Sequence, residues 1–326
     1  ATNDHPILID QFIENAFEFD VDALCDGEEV FIAGIMQHIE EAGVHSGDSS
    51  CVLPPYDMSN KVKKDIIDMT TKLAIELNVV GLINLQFAVK DNEVYVLEVN
   101  PRSSRTVPFV SKYSNVPLAN IAAQLSVGKK IRDFHLKENH FKHTAVKKAV
   151  LPFKKFKDEK VFLGPEMKST GEVMGIDTEP GIAFLKAMQS DGYNVPRVGT
   201  AFVSITDRDK QRALSIIKDL EKLNFTIIAT KGTSDFLLEN NVNCTPVFKV
   251  GEGRPNVVDE ILNDNIQIVI NTPQGAQSRY DEEAIGKTSV MKNVLTITTL
   301  AGAKAAVEAM SNINKISVAP LQEYFK

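Results

Sequence analysis

The chain has 326 residues, a formal net charge of −7 and three cysteines. Its length predicts about two domains with enough surface to bury a core. The acidic balance and the absence of a basic run argue against a nucleic-acid-binding protein, and no apolar run reaches the roughly 18 residues of a membrane span. Cys25, Cys51 and Cys244 are isolated, which argues against a disulfide scaffold or structural zinc and favours a reducing, cytoplasmic compartment. The sequence opens without an initiator methionine, so we expect a piece of a longer protein.

The first half predicts strands and one long helix. A strand is predicted at residues 6–12, followed by an acidic stretch that ends at residues 18–22. Apolar runs on both sides of residues 26–29, Asp-Gly-Glu-Glu, predict two antiparallel strands joined by a turn. Ser59 is typical of a helix N-cap, and apolar residues recur at helical spacing between Val62 and Leu77.

The first half is organised around residues 82–105, which read LINLQFAVKDNEVYVLEVNPRSSR. Two β-type runs flank a polar turn, and period-2 geometry puts Glu98 and Asn100 on one face of their strand. With Gln86 across the hairpin, they would form an all-oxygen site for a hard cation such as Mg²⁺. Gln86 faces the same way only if the turn has three residues or the hairpin carries a bulge, and we predict one of the two.

Two arginines follow this candidate metal site. Arg102 and Arg105 are planar donors suited to a phosphate or a carboxylate, so the combination indicates phosphate chemistry. Upstream, residues 43–50 form a polar, glycine-containing loop whose amides could approach a nucleotide closely. The alternative is a surface hairpin with polar faces, and His38 and His45, as lone residues, are more typical of satisfied polar side chains than of acids or bases.

The second half has a different pattern. Residues 191–196 form a turn-rich linker and predict a boundary between domains at 1–190 and 191–326. After Val198, the runs GTAFVSI, FTIIAT, TPVFKV, IQIVINT and VLTIT alternate with helical patterns. This alternation predicts a doubly wound parallel sheet of about five strands.

Polar residues lie at or just after the carboxyl ends of four of these strands. They are Ser204, Thr230, Thr233, Lys249, Asn271 and Thr272. Parallel sheets bind ligands in the crevice at these ends, and Thr230 leads into a helix N-terminus. Lys210 and Lys249 would add positive charge, so a phosphate pocket is predicted. The alternative is that Ser and Thr only cap helices here, and no G-x-G-x-x-G supports a dinucleotide site.

These stretches carry a family resemblance. Residues 82–105 resemble the metal-binding hairpin of ATP-grasp enzymes and, more closely, the C-terminal synthetic half of the carbamoyl phosphate synthetase large subunit. The resemblance extends to EEAGVHSGDSSCVLPP, KYSNVPLANIAAQLSVGKKI and LGPEMKSTGEVMG, and so covers essentially the whole chain. The second half resembles the methylglyoxal-synthase-like allosteric domain of the same enzyme. The implied fold class is α/β and α+β: an ATP-grasp C-terminal lobe, antiparallel with helices, followed by the parallel five-stranded domain.

The resemblance implies glutamine-dependent synthesis of carbamoyl phosphate, in which this half phosphorylates carbamate with MgATP. Gln86, Glu98 and Asn100 would bind the Mg²⁺ or Mn²⁺ that bridges the ATP phosphates. Arg102 and Arg105 would hold the transferred phosphoryl group or the carbamate. The nucleotide contacts it implies are Ile13 to adenine, Glu18 to the ribose, and Gly43, Val44, His45, Ser46, Gln86 and Glu98. Carbamate is itself the nucleophile, so positioning and charge neutralisation suffice.

The resemblance also implies a glutaminase small subunit or domain, bicarbonate as a substrate, K⁺ as an additional ion, an oligomer, and UMP or IMP as effector in the second domain. Lys148 stands where ornithine-responsive members carry a glutamate, so no ornithine activation is predicted. The ATP-grasp lobe that closes over the phosphates is absent from this sequence, so we expect a partial ATP site and no catalysis by this polypeptide alone. Two alternatives remain: another ATP-grasp ligase, such as a carboxylase, and a non-catalytic effector-binding module.

Overall fold

A computed structural model describes residues 11, 13, 16–40, 42–137, 141–154, 163–192, 194–272 and 275–325, without the side chains of 154, 275–280 and 282. The strand predicted at residues 6–12 lies outside these residues, apart from Gln11.

The first half forms a seven-stranded antiparallel sheet in the order β5-β4-β1-β2-β3-β6-β7. Its strands are β1 (Phe17–Asp26), β2 (Val30–His38), β3 (Cys51–Leu53), β4 (Val80–Lys90), β5 (Glu93–Asn100), β6 (Thr144–Val150) and β7 (Gly171–Asp177). The helices are α1 (Asn60–Glu76), α2 (Val107–Ser114), α3 (Leu118–Ser126) and α4 (Pro180–Ser190). The antiparallel pair around residues 26–29 and the later hairpin are therefore confirmed.

The residues of β1 separate the two faces of this sheet. Phe19 and Val21 pack with Val62 and Ile66 of α1 in one apolar cluster. The N-cap of α1 is as predicted, because the Ser59 hydroxyl accepts a hydrogen bond from the Val62 amide at 3.3 Å. Since side chains alternate along a strand, the acidic residues that alternate with Phe19 and Val21, namely Glu18, Asp20 and Asp22, face away from α1. The acidic stretch at residues 18–22 is thus part of β1, so the prediction that it lies before the first strand of this pair is wrong.

The second half forms a five-stranded parallel sheet, as predicted, and its strand order is β10-β9-β8-β11-β12. Its strands are β8 (Gly199–Ser204), β9 (Phe225–Thr230), β10 (Thr245–Val247), β11 (Ile268–Asn271) and β12 (Leu295–Ile297). The helices are α5 (Lys210–Lys222), α6 (Lys231–Glu239), α7 (Val257–Leu262), α8 (Gly275–Lys292) and α9 (Leu300–Ser311). Short 3-10 turns occur at Ile131–Phe134, Pro152–Lys154, Ile313–Lys315 and Leu321–Phe325. In the described part of the chain, no helix is both long and apolar enough to span a membrane.

Helix α4 packs between the two sheets. Its residues Ala183 and Leu185 belong to the same apolar cluster as Ala201 of β8 and Ala303 of α9. The approach to β7 is very close, because a Cβ added at Gly175 would lie 2.0 Å from a backbone oxygen of α4. Glycine is therefore required at that point. The domain boundary after residue 190 falls between α4 and β8, and it stays a prediction.

Candidate functional site

A one-residue bulge sets the register of the β4–β5 hairpin. The strands are joined by the two residues 91–92, both left-handed, and a regular hairpin with this turn would face Gln86 away from Glu98. The pairing shifts by one residue between Gln86 and Phe87, so that Gln86 lies opposite Glu98 and Leu97 is the extra residue. Directly paired residues share a face of the sheet. The condition for a shared site is therefore met by a bulge, one of the two predicted solutions.

The candidate metal ligands lie together on this face. Asn100 follows two residues after Glu98 and pairs with Asn84 of β4. Glu98 is exposed and Asn100 is buried, while the Gln86 amide donates to the Ser46 hydroxyl at 2.9 Å. Among the described residues, no group of three or more His, Cys, Asp or Glu is arranged to hold a metal. One carboxylate and two amide oxygens suit Mg²⁺ or Mn²⁺ when phosphate oxygens or water complete the coordination.

Strand β1 adds three buried carboxylates beside these ligands: Glu18, Asp20 and Asp22, here called the acidic face. They are 3%, 2% and 0% exposed. The ring of His38, from β2, lies between two of them, with Nδ1 3.5 Å from Glu18 Oε1 and Nε2 3.4 Å from Asp20 Oδ2. Buried carboxylates of this density require cations nearby, because an uncompensated buried charge is costly.

Burial and neighbouring charges shift the pKa values of the side chains in this cluster. Burial raises the pKa of Glu18, and His38 only partly offsets it. Burial would lower the pKa of His38, but Cys51, Asp20 and Glu18 outweigh it and raise that pKa well above its ordinary value. Lys147 of β6 is 1% exposed, and burial opposes its charge, yet Cys51 and nearby carboxylates raise its pKa. Both shifts favour the charged form of these two buried side chains.

The two arginines differ in their surroundings. Arg105 donates to the Ser169 hydroxyl at 3.2 Å, and its Nε lies 3.7 Å from a carboxylate oxygen of Glu172. The same Glu172 oxygen lies 3.9 Å from Lys147 Nζ, so Arg105 is linked to the buried cluster. Arg102 is exposed, and its guanidinium donates to the next residue's carbonyl at 3.0 Å. Both arginines are therefore exposed, but the fold links Arg105 to the cluster through Glu172.

The predicted nucleotide loop reaches the same place. Gly43 has a left-handed φ of 109°. The His45 amide donates to the Gly164 carbonyl at 2.8 Å, and the Ser46 carbonyl accepts from Lys147 Nζ at 3.2 Å. With the Gln86 contact above, Ser46 joins this loop to the hairpin. The loop is held in place on both sides.

Val44 and Ile13 are the remaining two residues that we predicted to contact the nucleotide. Val44 is half-buried and forms an isolated bridge with Ala42. Ile13 is half-buried and lies outside any helix or strand.

Several residues of the cluster were not predicted as site residues: Asp20, Asp22, His38, Lys147 and Glu172. The sequence did hold a signal for the first two, because Glu-Phe-Asp-Val-Asp alternates polar and apolar residues with the period of a strand. The others come from β2, β6 and β7, and their proximity depends on sheet order that no local pattern reveals.

The predicted phosphate pocket is one cavity of about 400 Å³ at the carboxyl edge of the parallel sheet. All seven predicted residues line it: Ser204, Lys210, Thr230, Thr233, Lys249, Asn271 and Thr272. Thr230 is the N-cap of α6, but its side chain makes no capping hydrogen bond. Its hydroxyl instead lies 3.4 Å from the hydroxyls of Ser204 and Thr233. The helix-capping alternative therefore fails for Thr230. Asp281 of α8 also lines the cavity and was not predicted.

Two family models match the chain. Residues 1–134 match "Carbamoyl-phosphate synthase L chain, ATP binding domain", and residues 212–298 match "MGS-like domain". The carbamoyl phosphate synthase large chain of Archaeoglobus fulgidus is 54% identical over 323 residues, which cover 98% of this chain and 30% of that protein. A C-terminal section of the large chain from Aquifex aeolicus is 48% identical over 349 residues, covering 100% of this chain and 65% of that protein.

A third relative, the large chain of Acidobacterium capsulatum, is 51% identical over 331 residues, covering 98% of this chain and 30% of that one. The chain thus spans about a third of the length of complete curated relatives. Among solved structures, a biotin carboxylase domain of a thermophilic 2-oxoglutarate carboxylase is similar only at a TM-score of 0.43 and 14% identity, covering 55% of this chain and 47% of that one.

Proposed function

The chain belongs to the carbamoyl phosphate synthase large chain family, and we propose that its antiparallel domain contributes the site that phosphorylates carbamate with MgATP. The products are carbamoyl phosphate and ADP. The proposal concerns the complete large chain, of which these residues match about a third in the relatives. In that enzyme, bicarbonate and glutamine-derived ammonia, released by a glutaminase small subunit or domain, supply the carbamate for pyrimidine and arginine biosynthesis.

One observation carries this proposal: the bulge at Leu97, which places Gln86 opposite Glu98. Bulges often lie next to active sites, where they redirect a side chain. Here the redirected Glu98 joins two amide oxygens on the face that also holds the buried carboxylates. A divalent ion bound there would neutralise charge on the phosphates.

The reaction then requires little of the protein beyond positioning the two reactants. A carbamate oxygen attacks the terminal phosphorus of ATP in line. The bond between these two atoms forms, and the bond between that phosphorus and the oxygen of the leaving ADP breaks. Arg105, which contacts Ser169 and Glu172, is assigned to stabilise negative charge on the transferred group, and the exposed Arg102 is assigned to contact the substrate. Glu18 and residues 43–46 are assigned to the nucleotide, with Ile13 at the base. K⁺ is assigned to the carboxylates on either side of residues 43–46, Glu40 and Asp48.

The test is Glu98→Gln in the complete large chain, with ADP formation from carbamate as the readout. Loss of a metal ligand should lower the rate by about 100-fold or more, since the ion contributes several kcal/mol to transition-state stabilisation. Glu93→Gln is the matched control, because Glu93 begins the same strand with its side chain 68% exposed. Retained activity in Glu98→Gln, or equal loss in both variants, would overturn the assignment.

We further propose that residues 191–326 form an allosteric domain that binds UMP or IMP by its phosphate group. The support is that two lysines and five hydroxyl or amide side chains line one cavity at the end of the parallel sheet. Lys210 and Lys249 bring positive charge to the cavity, although Asp207, 2.6 Å from Lys210, and Asp281 also line it. The first turn of α6 lines the cavity as well, and the N-terminus of a helix favours an anion.

Calorimetry with UMP, IMP and inorganic phosphate tests this second proposal. We expect micromolar binding of at least one nucleotide, lost in Thr230→Ala. Thr226→Ala is the control, because Thr226 lies on the same strand but does not line the cavity. Binding of phosphate without either nucleotide would refute the effector assignment. Effector binding by a complete large chain that forms no ADP would instead favour the non-catalytic module.

A further inference from the structure

Asp22 is a buried carboxylate that the proposed reaction does not use directly. It is 0% exposed, and its two oxygens accept three hydrogen bonds. Oδ1 accepts from the Ser104 hydroxyl at 2.7 Å and from the Asn84 amide at 3.0 Å, and Oδ2 accepts from the Thr106 hydroxyl at 2.6 Å. Hydrogen bonds to a charged acceptor are among the stronger ones in proteins.

Two of these donors bracket Arg105 in the sequence. Ser104 and Thr106 lie on either side of it, and their hydroxyls are also 2.8 Å apart. Asp22 therefore accepts from the hydroxyls on both sides of Arg105, in the segment at residues 101–106 that is here called the arginine loop. The loop's conformation on both sides of Arg105 is tied to strand β1.

Thr106 gives up an ordinary role to make this contact. It is the N-cap of α2, where a threonine hydroxyl usually accepts a hydrogen bond from the first helical turn. In α2 no side-chain capping hydrogen bond is present. The hydroxyl is directed to Asp22 instead. The local sequence would stabilise the helix, but the fold uses the residue to hold the loop.

The third donor links Asp22 to the hairpin. The Asn84 amide donates to Asp20 Oδ1 at 3.2 Å as well as to Asp22, and Asn84 pairs directly with Asn100. Asp22 is thus connected to the candidate metal ligands through β4 and to the arginine loop through its hydroxyl partners.

Keeping this carboxylate buried is unfavourable for folding. Burial, with a contribution from Asp20, raises its pKa to about 6, although the hydrogen bonds from Thr106, Ser104 and Asn84 oppose the shift. A buried carboxylate with a raised pKa is weak evidence that the group stabilises the fold. Such carboxylates occur more often at functional sites, where they orient other groups.

We propose that Asp22 is a positioning residue for carbamate phosphorylation, which fixes the arginine loop against the hairpin through Ser104 and Thr106. This inference rests on the proposed function, because the test measures the rate of the proposed reaction run in reverse. Asp22 itself contacts no substrate. It acts by holding Arg105 at the distance that the transferred phosphoryl group requires, and displacements of about 1 Å can cost about 100-fold in rate.

The test uses Thr106→Val and Thr106→Ser in the complete large chain, with ATP formation from MgADP and carbamoyl phosphate as the readout. Valine matches threonine in shape but lacks the hydroxyl, whereas serine keeps it. We expect Thr106→Val to lower kcat by about 10-fold and to raise KM for carbamoyl phosphate, with KM for ADP within about 2-fold of wild type. Thr106→Ser should restore most of the activity.

Three further variants complete the design. Thr70→Val removes a buried hydroxyl that has no hydrogen-bond partner among the described residues, and it should change neither constant. Asp22→Asn should retain more activity than Asp22→Ala, because the hydroxyls of Ser104 and Thr106 can rotate to accept from its amide.

Equal losses in Thr106→Val and Thr106→Ser, or a parallel rise in KM for ADP, would overturn the inference. Hydrogen exchange of the amides at 101–107 gives a readout independent of activity. It should accelerate in Thr106→Val and stay unchanged in Thr106→Ser. If the wild type forms no ATP, the proposed function fails, and the exchange result alone decides whether Asp22 holds the loop.

Discussion

Replacing Lys147 by methionine tests whether the buried cations balance the carboxylates of the site. Lys147 is 1% exposed, donates to the Ser46 carbonyl at 3.2 Å and lies 3.9 Å from Glu172 Oε1. That oxygen has no hydrogen-bond partner among the described residues. Removing the ammonium would leave the buried Oε1 of the half-buried Glu172 with Arg105 as its remaining close cation among the described residues.

The size of the effect follows from these contacts. Removing one partner of a buried ion pair typically costs about 3–5 kcal/mol, whereas removing both is often close to neutral. Because Arg105 lies 3.7 Å from the same carboxylate, we expect a loss toward the lower end of about 3–5 kcal/mol for Lys147→Met. The double variant Lys147→Met/Glu172→Gln should recover at least about 1 kcal/mol, as expected for residues in contact.

The loss should depend on pH. Burial raises the pKa of Glu172, and Lys147 and Arg105 partly offset it, so the ionised form is disfavoured by folding. Removing Lys147 raises that pKa further. Stability is then lost as pH rises through the folded-state pKa, so the cost of Lys147→Met should be greater at pH 8 than at pH 5.

Urea unfolding of wild type, both single variants and the double variant at the two pH values measures these differences. Comparing each variant with wild type at the same pH removes the contribution of all other titrating groups. Equal costs at both pH values, or a double variant whose cost is the sum of the single costs, would refute the charge-balance argument.

Three further predictions concern the fold, the acidic face and regulation. Gly175→Ala should lower the melting temperature by several degrees, because its Cβ would overlap the α4 backbone, whereas Gly171→Ala, whose nearest neighbour is 3.8 Å away, should not. His38→Gln should lower the free energy of unfolding most in acid. The raised pKa of His38 stabilises the folded state fully below its ordinary value of 6.5, and this stabilisation is lost as pH rises through the folded-state pKa. A difference in stability between variant and wild type that stays constant or grows at high pH would contradict this reasoning. Ornithine should leave ADP formation by the complete large chain unchanged, because Lys148, which is ion-paired with Asp191 at 3.0 Å, supplies no carboxylate where ornithine-responsive members carry a glutamate. Activation by ornithine would contradict that reasoning.

Much of the fold could be predicted from local patterns. The alternation of strands and helices after residue 198 gives the parallel sheet, and the rule that ligands bind at the carboxyl ends of its strands brings seven residues to one cavity. The hairpin could be predicted as well, since Gln86 and Glu98 can share a face in only a few registers.

The buried cluster could not be predicted as fully. Three acids within five residues resemble a solvated stretch, and only the alternation with Phe19 and Val21 marks them as one face of a strand. Lys147 lies about a hundred residues further along the chain, and its contact with Ser46 depends on the order of β2, β3 and β6 in the sheet. Such long-range pairing is set by tertiary packing, which no short window of sequence contains.

The most direct test of the central claim is ATP formation from MgADP and carbamoyl phosphate by the complete large chain, measured for wild type, Glu98→Gln and Glu93→Gln. If the hairpin site holds the metal that the phosphates require, wild type and Glu93→Gln form ATP at similar rates and Glu98→Gln falls by about 100-fold or more. A Glu98→Gln enzyme that keeps the wild-type rate would contradict the assignment of the hairpin to phosphoryl transfer.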